Sequence, residues 1–114
     1  MSTTPLGVTF GSLGVLGPKA ATDIAVSAQN LGYQSFWTVE ANGTDAMTLL
    51  GAVAAAAPGL ALGTGIIPVQ IRTPPLTAMT AATLQELNPE ADVLLGLGVS
   101  APGILKQHGI EATD

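Results

Sequence analysis

The 114-residue chain contains no cysteine. Neither a disulfide frame nor a thiolate metal site can be built from it, and a reducing, cytoplasmic setting is the expected one. Histidine occurs once, at His108, and without a second imidazole or a thiol it supports no metal site. No Ser-His-Asp set at workable spacing is present either. Basic residues are equally scarce: Lys19, Arg72 and Lys106 stand against eight acids, for a net charge of −5. Three scattered cations cannot neutralise a run of phosphates, which excludes nucleic acid as an expected partner. The opening Met1-Ser2-Thr3-Thr4-Pro5 has neither the basic nor the apolar region of a secretory signal. No charge falls between Asp45 and Arg72, yet that stretch is rich in Ala and Gly and is broken by Pro58-Gly59. A helix followed by a buried parallel strand gives the same hydropathy signal, so no membrane span is expected.

What is present is apolar surface, at 47% of the residues with only 10% charged. A chain of this kind has much to bury and little to keep it in solution unfolded, which argues for a folded domain. It also carries more apolar surface than so small a domain needs, so part of it is expected to meet a partner or further sequence.

The chain divides into four strand–helix units. Leu6 to Phe10 reads as a first strand. A Gly-rich loop, Gly11 to Gly17, follows. Pro18 then opens a helix to about Leu31 with Ile24, Ala28 and Leu31 as its stripe, and Gly32 stops it. Gln34 to Val39 is a second strand, rich in aromatic and β-branched residues. Thr44 or Asp45 caps a second helix over 46–57, ended by Pro58-Gly59. Leu60 to Ile67 is the third strand, interrupted by Gly63 and Gly65. Thr73-Pro74-Pro75 starts a third helix that reaches Leu87 and stops at Asn88-Pro89. Asp92 to Gly98 is the fourth strand, followed by a loop and a polar tail. The order βαβαβαβ implies parallel strands with helical crossovers, either in an open doubly wound sheet or in a segment of a closed barrel.

Three segments bear on that choice. Phe36-Trp37-Thr38-Val39-Glu40-Ala41-Asn42-Gly43-Thr44-Asp45-Ala46 resembles the end of the second strand in luciferase-like oxidoreductases, particularly those assigned to coenzyme F420. Leu62-Gly63-Thr64-Gly65-Ile66-Ile67-Pro68-Val69-Gln70-Ile71-Arg72-Thr73-Pro74 is similar to their third strand and its loop. Met79 to Leu87, with Leu94-Leu95-Gly96-Leu97-Gly98-Val99-Ser100, is similar to the next helix and the fourth strand. The resemblance runs through residues 5–103 in order and at the right spacing. It implies an α/β fold of parallel β/α units: half of a TIM (β/α)8 barrel, with four strands and three main helices. Residues 1–114 would form one partial barrel domain, with 104–114 as a tail.

The same resemblance implies coenzyme F420, or alternatively FMN, bound at the C-terminal ends of the strands, and hydride transfer to a small organic substrate. The family places a bulge and a non-proline cis peptide in its third strand, which corresponds here to Gly65-Ile66 or Ile66-Ile67. It places an acid at the mouth of the second strand, here Glu40, which read alone could equally be a solvated loop acid or a helix cap. Glu40, Gly65, Ile66, Ile67 and Ser100 are therefore the candidate cofactor-binding residues. Ser100 would offer its hydroxyl and N–H to the ring edge or serve as a turn residue. Several F420 relatives follow the acid with a histidine used in proton transfer. Here that position is Ala41, so protons are expected from elsewhere, and no catalytic residue is assigned. Arg72 is expected to anchor a loop in preference to neutralising a cofactor anion. His108 lies in Lys106-Gln107-His108-Gly109, near a Trp-His-Gly element of relatives but without its tryptophan.

Gly96-Leu97-Gly98-Val99-Ser100-Ala101 also fits a dinucleotide fingerprint, but Pro102-Gly103 is expected to interrupt the helix that should follow. A whole barrel needs about 250 residues, and four strands leave two open edges. The favoured expectation is a truncated or split product with little activity alone, its partner being the missing C-terminal half. A half-barrel closing as a homo-oligomer, and a non-catalytic binding domain with an open sheet, are the alternatives.

Overall fold

The computed structural model describes residues 4–111. Four strands alternate with helices: β1 (Gly7–Thr9), α1 (Ala20–Asn30), β2 (Ser35–Thr38), α2 (Ala46–Ala56), β3 (Ala61–Pro68), α3 (Pro74–Leu87), β4 (Val93–Gly98) and α4 (Pro102–Gln107). All neighbours pair in parallel, in the order β1-β2-β3-β4. That order chooses between the two architectures. Crossovers of one hand stepping always in one direction put every helix on the same face. A doubly wound sheet reverses direction midway and covers both faces. Here α1 packs on α2 and α2 on α3, an arc of four βα units with helices outside, as in half of a (β/α)8 barrel.

The helices end where local chemistry directs. Gly32 takes φ +92° after α1, and the Gly32 and Tyr33 N–H groups bond back to Gln29 and Ala28, a Schellman closure that needs the left-handed residue. Asp45 caps α2 by accepting from the Thr48 N–H at 2.8 Å. Thr73 caps α3 by accepting from the Leu76 N–H at 3.3 Å, with prolines in the first turn. Three expectations are corrected. Gly11–Leu16 is a 3-10 helix where a loop was expected. The buried stripe of α1 is Ala21, Ala25 and Ala28, with the expected Ile24 packed against the core, while Leu31 is 77% exposed; alanines let this short helix pack closely on α2, and Leu31 already lies past its end. Pro102 starts α4 instead of interrupting a helix, because its missing N–H is one that a first turn leaves unbonded anyway. The stretch expected as a tail from 104 thus begins inside a helix whose Leu105 is buried.

The strands divide the molecule into two faces. Phe36 and Leu62 point outward into a core with Phe10, Leu50, Val53, Leu60 and Leu84. The hydroxyl of Thr38, on the same face, donates to the Ala46 carbonyl at 3.1 Å and ties β2 to α2. The inner face carries the alternate residues. Thr9 pairs with Trp37, Trp37 with Gly63, and Gly63 with Leu94. Between Thr64 and Ile67 the β3–β4 register shifts. There the Thr64 hydroxyl accepts from the Gly96 N–H at 3.0 Å and donates to the Gly96 carbonyl at 2.9 Å, standing in for ladder bonds that the bulge removes.

Candidate functional site

The loops leaving the C-terminal ends of β2, β3 and β4 meet at one rim. The Glu40 N–H donates to the Ile66 carbonyl at 3.2 Å, the Val69 N–H to that of Gly98 at 2.9 Å, and the Ser100 N–H to Gln70 Oε1 at 3.4 Å. Glu40, the Gly65–Ile67 segment and Ser100 therefore lie together, although up to sixty residues of chain separate them. The Gly65–Ile66 peptide is cis. Gly65 is exposed and Ile66 half-buried, so both face the open side. Ile67 is buried at 1% exposure and turns its side chain away from it. The Ile66 side chain lies over Gly98, where an added Cβ would come within 2.8 Å of it. A side chain at Gly96 would run into the Thr64 carbonyl. The glycines of the fingerprint-like run thus serve strand packing inside β4, not a phosphate loop.

Glu40 is a structural anchor as well as a rim residue. Its carboxylate accepts two bonds from Arg72, at 3.0 Å from Nε and 2.8 Å from an Nη, and a third from the Ala46 N–H at 3.2 Å, at the start of α2. The side chains are only 7% and 13% exposed, so this is a forked, mostly desolvated pair. Arg72 also reaches Asp45 at 3.3 Å. The bond to Glu40 outweighs burial and holds the Arg72 guanidinium above its ordinary range. Partial burial opposes ionisation of Asp45, but the Thr48 hydrogen bonds and the Arg72 charge together hold its carboxyl below the usual range. With two carboxylates on one guanidinium, little positive charge is left for a cofactor phosphate.

Beside this pair lies an open cleft of 490 Å³, lined among others by Asp45, Ile71, Arg72, Leu76 and His108. His108 follows the last residue of α4: its Nε2 lies 2.8 Å from the Ala41 carbonyl, while Asn42 donates to Gln107 at 3.0 Å. The helix end thereby clamps the β2 exit loop across the rim. Sequence reasoning missed this clamp, whose only signal was the helix start at Ala101-Pro102. Among the described residues no group of three or more His, Cys, Asp or Glu could hold a metal ion, and no helix is long and apolar enough to cross a membrane.

Residues 4–113 match the luciferase-like monooxygenase family. A protein of Mycobacterium tuberculosis named as a coenzyme F420-dependent oxidoreductase is 35% identical over 101 residues, which are 89% of this chain and 29% of that protein. The coenzyme F420-dependent tetrahydromethanopterin reductase of Methanopyrus kandleri superposes with a TM-score of 0.81 at 21% identity, over 95% of this chain and 30% of that one. The oxygenating constituent of the 3,6-diketocamphane monooxygenase of Pseudomonas putida, solved with FMN, gives 0.80 at 18% identity, over 98% and 34%. The structural likenesses speak for the fold. The chain spans about a third of the length of the proteins it resembles.

Proposed function

The chain belongs to the luciferase-like monooxygenase family, and from that premise we propose that it supplies the first four βα units of a flavin- or deazaflavin-dependent oxidoreductase. In this reading residues 1–114 are one partial barrel domain whose rim receives the planar ring of coenzyme F420, with FMN as the alternative. The observation that carries it is the convergence of Glu40, Gly65–Ile66 and Ser100 on one rim, where βα loops of such barrels hold their ligands. Coenzyme F420 is preferred over FMN because the more similar full-length relative is named for it.

The residues present fit a flat group. Nothing but the edge of Trp37 would meet a side chain at Gly65, which leaves open backbone at the rim, while the space beside Gly63, Gly96 and Gly98 is filled by Trp37, Thr64 and Ile66. When bound, the ring supplies hydride exchange with a small organic substrate. The chain's own part is to bind and orient. Gly65 and Ile66 present backbone and one apolar side chain to the ring. Ser100, its N–H already engaged by Gln70, offers its hydroxyl. Glu40, held by Arg72, fixes the loop at the mouth of β2. Phosphate and tail contacts fall to sequence beyond these four units, since Arg72 is already paired, and the 114 residues alone have little turnover.

Titrating the chain with F420 and with FMN, read by ring fluorescence, tests the proposal. Saturable binding below about millimolar Kd, tighter for F420, is the expected result. No binding of either would overturn it.

A further inference from the structure

Trp37 is the only tryptophan of the chain, and its indole occupies an unusual place. It projects from the inner face of β2, away from the core between sheet and helices. Its Nε1–H donates to Ser35 Oγ at 2.8 Å, on its own strand, which turns the ring back along the sheet. A Cβ at Gly7 would approach Nε1 to 2.8 Å, and one at Gly63 would collide with the benzo ring; at Gly65 the nearest ring atom, Cε3, is 3.9 Å away. The indole thus lies against the backbone of β1 on one side and β3 on the other, at positions where glycine alone leaves it room. Its benzo edge faces Gly65.

Such a ring can be a plain filler of the barrel interior or part of a binding surface. Three features favour the second. Trp37 is half-buried and not closed off from the open side; it is seated by a hydrogen bond and two glycines; and its benzo edge faces Gly65, in the rim segment assigned to the ring site. We propose that the indole of Trp37 is the aromatic floor of that site, the apolar surface against which the tricyclic ring of the flavin or deazaflavin packs. Offset-stacked or edge-to-face aromatic contact would fix the depth and tilt of the ring. This inference rests on the ring-binding reading above.

The test uses the 114-residue chain with FMN and F420, comparing wild type with Trp37→Phe, Trp37→Leu and Gly63→Ala, each checked for fold by far-ultraviolet circular dichroism. Trp37→Phe should bind within about twofold of wild type, and Trp37→Leu about five- to tenfold more weakly, the scale of one aromatic contact. The shift in the visible band of the bound ring should persist in the first and vanish in the second. Gly63→Ala, which pushes the retained indole off its seat, should also weaken binding, and it decides the matter if Trp37→Leu does not fold. Wild-type affinity and an unchanged band in folded Trp37→Leu or Gly63→Ala would overturn the floor and leave the ring-binding reading standing. No binding by wild type would overturn both.

Discussion

At the scale of single residues, the Glu40–Arg72 pair carries most weight. Removing one member of a mostly desolvated pair leaves a charge without its partner. Arg72→Gln should therefore cost about 2–4 kcal/mol in a denaturant melt, and Glu40→Gln with Arg72→Gln should cost less than the sum of the two singles. A strictly additive pair would mean that the contact contributes nothing. Asp45 gives a pH signature. Its carboxyl lies below the ordinary 3.8 in the folded chain, so its contribution is present above that value and is lost as pH falls through the folded one. Between about pH 5 and about pH 3, Asp45→Asn, which keeps the cap, should lose less melting temperature than wild type; an equal or steeper loss would contradict the assignment. Neither the pair nor the Trp37 seat was legible in the sequence. Arg72 lies thirty-two positions from Glu40, and the seat depends on a register that aligns Gly7 with Ser35 and Trp37 with Gly63. Sequence placed Glu40 at the mouth of β2 and left open whether it was a cap; the cap of α2 is Asp45, and Glu40 accepts from the first N–H of that helix.

At the scale of elements, strands and main helices were readable because their signals are local. Thr73-Pro74-Pro75 begins α3 and Gly32 ends α1 through bonds within a turn of the named residues. What failed was local chemistry with two meanings. Pro102-Gly103 read as a break and begins α4; Gly11 to Gly17 read as a loop and coils into a 3-10 helix. The bulge between β3 and β4 makes a specific demand. With the Thr64 carbonyl where a Cβ of residue 96 would stand, Gly96→Ala must push the strands apart, at a cost of about 2–3 kcal/mol. The Gly103→Ala change in α4, where an added Cβ meets nothing, should leave stability unchanged or slightly raised. Paired thermal melts check both, and a neutral Gly96→Ala would mean that the register is not as described.

At the scale of the whole molecule, the four strands end in two unpaired parallel edges, β1 and β4, among the described residues. Beside the β4 edge, Leu94, Leu97 and Val99 are exposed. Open edges and apolar patches invite pairing with another chain. Sedimentation velocity at tens of micromolar should show a mass above that of one chain, falling on dilution; a strict monomer would mean that the edges are better protected than the fold indicates. On the same arc, the ring proposed above would lie on the inner face at the rim formed by β2, β3 and β4. Amide chemical shifts of the 15N-labelled chain, followed during titration with FMN and F420, test it most directly. Perturbations should group at Trp37–Glu40, Gly63–Ile66 and Gly96–Ser100, with α1 and the outer faces of α2 and α3 silent. Shifts confined to the helical face or to the N-terminal ends of the strands would contradict it.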